Sequence, residues 1–333
     1  MQNIEKSIYI SRFRKNKEAA LFLIMVGMFI LMSILSPTTF LTWRNIQSMA
    51  YQLPEFGILS IAMMMVIVSG GINLSITFTA ALSSIVGGLV LSKLAVSGAP
   101  TPIILIAGIL TFLGVAACCG LINGFVVAEI GITPMLATLA TSTLFEGICL
   151  NITRGGAISG FPDAFLWIGN SAVLGIPFPM IIFVLVIFAS YLILERTSFG
   201  LKTYMIGCNP RVTFYSGVNV KRVLFGIYIF SAVLGALSGI IMASRYNSAK
   251  DSYGSSYLLQ SVAASVLGGT DIVGGYGKIA GTVMAVMIIQ IISSGLNIFG
   301  VNRFVINAIM GCILILVLAI NTLSNGEKIA AGK

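Results

Sequence analysis

The sequence predicts an all-α polytopic membrane protein, a transmembrane helical bundle of about ten spans with glycine-rich helix breaks. Three observations carry this. Of the 333 residues 57% are hydrophobic and only 9% are charged, where a soluble domain carries roughly 25% charged residues to keep its surface wetted. Mean hydropathy is +1.03, so most of the surface has lipid as its solvent. Apolar runs close to the roughly 20 residues that cross a bilayer recur along the whole chain.

In order, spans are expected at 19–36, 46–68, 75–92, 102–127, 132–150, 178–194, 222–244, 256–268, 279–297 and 303–321. Arg12, Arg14, Lys15 and Lys17 precede the first run as they would in a signal peptide. That run is long, however, and no small-x-small cleavage site follows, so it reads as a retained first helix. The eighth span is too short to cross as a straight helix. It is expected to meet an irregular glycine-rich segment inside the protein, where broken helices are tolerated. The chain divides into a cytoplasmic segment 1–18, a transmembrane domain 19–321 and a cytoplasmic tail 322–333.

The 19 basic residues set the orientation. With the N-terminus inside, Lys6, Arg12, Arg14, Lys15, Lys17, Arg196, Lys202, Arg211, Lys221, Arg222, Lys278, Lys328 and Lys333 fall in cytoplasmic segments. Arg44, Lys93, Arg154, Arg245, Lys250 and Arg303 fall outside. This 13 to 6 split follows the positive-inside rule, and ten spans return the C-terminus to the cytoplasm. The long outer loop Asn151–Pro177 is expected to lie partly in the membrane interface through Trp167. The largest inner feature is Glu195–Arg222.

Glycine spacings at Gly120–Gly124, Gly235–Gly239 and Gly277–Gly281 are of the kind that lets helix backbones approach closely, although 36 glycines produce such spacings by chance. Val68–Ser75 and Leu267–Gly274 echo one another: each is a Gly-Gly break carrying an amide or acid. Interrupted helices in corresponding parts of a chain mark translocation pathways, and ordinary glycine turns give the same pattern.

Several function classes are excluded. The net charge of +9 is dispersed between apolar runs rather than gathered on a nucleic-acid-binding stripe. The chain has no histidine, which removes histidine metal sites and the usual general base. Cys118, Cys119, Cys149, Cys208 and Cys312 lack metal-ligand spacing and read as small buried thiols. No phosphate-binding GxxxxGK[ST] is present, since Gly277-Lys278 is followed by Ile279. No catalytic residue, metal or cofactor is therefore expected, and the chain is read as a transporter component rather than an enzyme.

Acids inside spans cost roughly 2.5–3.5 kcal/mol on insertion scales, so Glu55 and Glu146 should face the bundle interior or pair. Glu55 is expected toward the outer end of its span, where the cost falls. Asn73, Asn123, Gln290 and Asn297 are neutral counterparts. All six are candidates for a solute pathway, and each also reads as a helix–helix hydrogen bond.

The combination "GGINLS" (Gly70–Ser75), "GITPMLATLAT" (Gly131–Thr141), "ISGFPDAF" (Ile158–Phe165), "ERTSFGLKTYMIGCNPRVTFYSGVNVKRV" (Glu195–Val223) and "LGGTDIVGGYGKIAGT" (Leu267–Thr282) resembles the ribose-type permeases of bacterial ABC importers. The resemblance implies an importer for a monosaccharide such as ribose, set in the cytoplasmic membrane. It implies three kinds of partner: a second permease subunit, identical or not, two cytoplasmic ATPase subunits, and an extracytoplasmic solute-binding protein. It also implies that Gly207, Asn209, Pro210, Arg211, Ser216 and Gly217 form the segment that docks on the ATPase. Asn73 stands where the family usually has Asp, and Glu146 where a basic residue is frequent. "NPRVTFYS" and "SAKDSYGSSYLL" are similar to the autoinducer-2 branch, which is the alternative solute class. An ion-coupled secondary transporter is the rival mechanism, with a passive channel and an intramembrane enzyme behind it.

Overall fold

A computed structural model describes residues 17–302, 304–312 and 315. Lys6, Arg12, Arg14, Lys15, Arg303, Lys328, Lys333 and the tail 322–333 lie outside the described residues, as does most of 1–18.

Eight described helices are long and apolar enough to cross a membrane. They are α1 (Lys17–Leu35), α3 (Trp43–Val68), α4 (Ile76–Val96), α5 (Thr101–Ala128), α6 (Pro134–Thr153), α8 (Phe178–Arg196), α11 (Val220–Tyr246) and α13 (Ile279–Ile298). Between them lie α2 (Pro37–Phe40), α7 (Asp163–Asn170), α9 (Ser198–Cys208), α10 (Pro210–Tyr215) and the 11-residue α12 (Tyr257–Leu267). The expected short eighth span is α12. Helix resumes at 304–312, within the expected tenth span.

The helix α3 is the axis of the bundle. Every residue from Leu53 to Val68 is buried, and all of them but Glu55 and Ser60 are nonpolar, as suits a helix enclosed by others. Helices α8, α11, α12 and α13 surround it. Small hydroxyls stitch them together: Ser238 donates to the Glu55 carbonyl at 2.7 Å, and Ser265 to the Ser60 carbonyl at 3.1 Å. A second apolar cluster joins α4, α5, α7 and α11 around Phe112, Phe161 and Phe165. Gly120 lies so close to α11 that a Cβ there would meet the Ile229 Cα at 2.7 Å, so its spacing reflects packing rather than chance.

The two long loops lie at opposite ends. At one end α7 caps α11, where Ser244 Oγ donates to the Phe165 carbonyl and accepts from Gly169 N–H, both at 2.7 Å. Strand β1 (Ile158–Ser159) pairs with β4 (Ser248–Ala249), and β2 (Ala172–Val173) with β3 (Ile176–Pro177). Trp167 is half exposed and packs on Phe178 with ring centroids 4.7 Å apart. At the other end Lys221 pairs with Glu129 and Lys278 with Glu18, each at 2.6 Å.

Glu55 lies midway along α3, level with the last turn of α11 through Arg245 and Tyr246. One expectation is corrected. The cysteines are not uniformly buried: Cys119 and Cys149 are, whereas Cys118, Cys208 and Cys312 are exposed. Cys208 closes α9 at the loop end, and the apolar neighbours of the other two were mistaken for core.

Candidate functional site

Pro54 lies inside α3 and withholds one intrahelical N–H. The next residue, Glu55, is fully buried and satisfied by other helices. Its carboxylate accepts from Arg245 Nη1 at 2.8 Å, Tyr246 Oη at 2.9 Å and Tyr257 Oη at 3.2 Å. The cluster locks α3, the last turn of α11 and the first turn of α12 together, and it neutralises the acid where lipid cannot.

Beside this cluster lies a cavity of about 280 Å³, near the small end of ordinary ligand pockets at roughly 300–1,000 Å³. Its wall is rich in amides and hydroxyls: Gln52, Gln260, Gln290, Ser293, Asn297 and Asn307. Arg245, Tyr246 and Tyr257 form its side toward Glu55, and Phe56 and Ile306 give apolar surface. Gln290 reaches Gln52 at 3.4 Å, leaving most of the amide capacity open to a guest. A wall of neutral donors and acceptors beside a self-neutralised ion pair suits an uncharged, hydroxyl-rich solute.

Of the six candidates, three meet here: Gln290 and Asn297 line the cavity and Glu55 stands behind its wall. Asn73 and Asn123 belong to a different cluster. Asn73 donates to Ser231 at 3.2 Å and accepts from Ser75 Oγ at 2.9 Å. Asn123 donates to Ser75 Oγ at 2.8 Å and accepts from Thr141 at 2.6 Å. Both asparagines are 1% exposed and bind α4, α5, α6 and α11 to one another. Glu146 is half-buried on α6, with no hydrogen bond or ion pair among the described residues. Sequence reasoning missed Gln52, Gln260, Arg245, Tyr246, Tyr257 and Asn307. A period-3.6 polar stripe on α3 and α13 was the available signal for Gln52, though not for Arg245.

At the opposite end, 195–222 holds two short helices, α9 and α10. Asn209 caps α10 by accepting from Arg211 N–H at 3.0 Å and Val212 N–H at 3.1 Å, and Pro210 fills the first turn. Ser216 donates back to the Val212 carbonyl, and Gly217, at φ +81°, ends the element. Val212, Phe214 and Tyr215 are exposed, Tyr215 to 86%. Phe214 and Tyr215 line a cleft of about 780 Å³ together with Arg211 and Lys221. Behind α10, Tyr204 donates to the Gly277 carbonyl at 2.6 Å. Burial pushes its phenol up to about 12, which keeps the donor protonated.

Residues 45–318 match the family described as the permease component of branched-chain amino acid transport systems. The ribose import permease protein RbsC of Bacillus subtilis is 37% identical over 297 residues, covering 87% of this chain and 89% of that protein. The autoinducer 2 import system permease protein LsrD of Escherichia coli K12 is 37% identical over 267 residues, covering 78% of each chain. The Shigella flexneri LsrD matches to the same extent. No solved structure matches.

Proposed function

The chain belongs to the permease-component family of ABC importers, and from that premise we propose that its solute is a small neutral sugar, a monosaccharide such as ribose. The observation that carries the solute class is the 280 Å³ cavity with its amide and hydroxyl wall. The relatives matched over most of the chain carry ribose or autoinducer 2 in their names, not an amino acid. An amino acid zwitterion would need two charged partners, and the ion pair nearest the cavity is already closed on itself.

Solute enters from the 151–177 side, delivered by an extracytoplasmic binding protein, and both chain termini lie in the cytoplasm. The basic 195–222 segment faces the cytoplasm of a bacterial cell and seats α10 in an ATPase subunit. Exposed aromatics on a capped helix give that contact its apolar anchor, with Arg211 at its rim. Asn297 and Asn307 are exposed on the protomer, and amides at membrane depth need protein or water rather than lipid. A second permease subunit covers that side and completes the cavity.

The test is ATP-driven uptake by the chain assembled with its ATPase subunit. Labelled ribose, autoinducer 2 and a branched-chain amino acid are offered in parallel. Uptake of ribose supports the reading; uptake of the amino acid alone refutes the solute class.

A further inference from the structure

Three backbones touch at one point on the 195–222 side. The Val68 carbonyl, ending α3, accepts from Gly275 N–H at 2.8 Å. Gly207, in the last turn of α9, lies against both groups, and a Cβ on it would collide with each. Gly274, at φ +99°, is so near Gly70 that a Cβ there would sit 2.7 Å from the Gly70 Cα and 3.1 Å from the Gly207 Cα. The two glycine breaks that echo each other in sequence therefore meet, and the segment leading into α10 is wedged between them.

Buried hydroxyls stand idle around this point. Tyr228 Oη, which a Cβ on Gly71 would approach to 3.1 Å, has no hydrogen-bond partner among the described residues. Neither have Thr270 Oγ1 and Thr282 Oγ1 at the second break. Each of these hydroxyls can take a partner that the present arrangement does not supply, so a shift of the breaks has polar groups ready to receive it.

We propose that Gly207, Gly70 and Gly274–Gly275 form a two-state joint that carries movement of α10 directly into both helix breaks. This rests on the importer reading and deepens it: these glycines are positioning residues for transport. Backbone-to-backbone contact transmits displacement without a flexible side chain between. In the second state the Cys208–Gly275 contact, now 3.8 Å from Sγ to carbonyl oxygen, opens or tightens.

Cys208 is exposed and reports on the joint without any strained substitution. With Cys118→Ser and Cys312→Ser, maleimide labelling of Cys208 is timed in the full transporter, nucleotide-free and vanadate-trapped. The rate should differ several-fold between the two states. Gly207→Ala should abolish the difference and lower the solute taken up per ATP hydrolysed. An unchanged labelling rate in a transporter that does take up solute overturns the joint, as does a normal uptake-to-ATP ratio in Gly207→Ala. If Gly207→Ala fails to insert, labelling of the Gly207 chain decides alone. A wild-type complex that hydrolyses ATP and moves no solute refutes the importer reading itself, and the joint with it.

Discussion

Glu55 and Arg245, 190 positions apart in the chain, meet at 2.8 Å inside the helical bundle. The carboxylate is fully buried and the arginine side chain is 20% exposed. Removing one partner of such a pair strands a charge, at roughly 3–5 kcal/mol, whereas replacing both with apolar groups is often neutral. Glu55→Leu should therefore lower the melting temperature sharply. The double substitution Glu55→Leu with Arg245→Met should recover most of the loss. A double mutant as unstable as the single one would mean that the two side chains are not coupled.

Gln290 and Asn123 should separate function from stability. Gln290→Leu removes an amide from the cavity wall and should raise KM for uptake by roughly tenfold, the equivalent of about 1.4 kcal/mol. Its melting temperature should hold. Asn123→Leu removes the hydrogen bonds to Ser75 and Thr141, which keep only their bonds to Asn73 and the Thr138 carbonyl, and should cost about 1–2 kcal/mol of stability. The protein that does insert should keep its KM. Parallel uptake and thermal-melt measurements distinguish the two patterns, and a reversed pattern would exchange the roles assigned here.

The bundle was legible in the sequence because length and hydropathy alone specify a spanning helix. Nine of the ten expected spans correspond to described helices, down to the short α12, and the tenth is helical at 304–312. The Asn209-Pro210 start of α10 carries a local signal, a side-chain cap followed by proline, but these residues were drawn from the family resemblance and not from that cap. The cavity was not. Arg245 was counted as an outer charge, and nothing local tells that it turns inward to an acid 190 positions away. Asn73 and Asn123 carried two readings, pathway amide and helix–helix bridge, because a buried amide has the same sequence signature whether it faces a solute or another helix.

Phe214 and Tyr215 should matter only when the ATPase is present. Phe214→Ala and Tyr215→Ala should leave insertion and thermal stability unchanged, because both side chains are exposed. Co-purification of the ATPase subunit should fall, by tenfold or more if either is an anchor worth about 2 kcal/mol. Unchanged co-purification in the double variant would remove α10 from the interface.

The Lys278–Glu18 pair should be insensitive to physiological pH. Its hydrogen bond and charge attraction to Glu18 raise the Lys278 pKa above its ordinary 10.5. A raised basic pKa stabilises fully below the ordinary value, and the contribution is lost as pH climbs through the folded value. Lys278→Met should thus shift the melting temperature by the same small amount at pH 6 and pH 9. Added salt should shrink that shift, because the pair is half exposed. A shift that grew between pH 6 and pH 9 would place another titrating group at this contact.

Energisation from outside the chain is the central claim, and reconstitution tests it most directly. Proteoliposomes containing this chain, its ATPase subunit and its binding protein should concentrate labelled sugar only when ATP reaches the ATPase side. Liposomes containing the chain alone should not concentrate it under a proton or sodium gradient. Accumulation by the chain alone, driven by such a gradient, would contradict the account and make the protein an ion-coupled transporter.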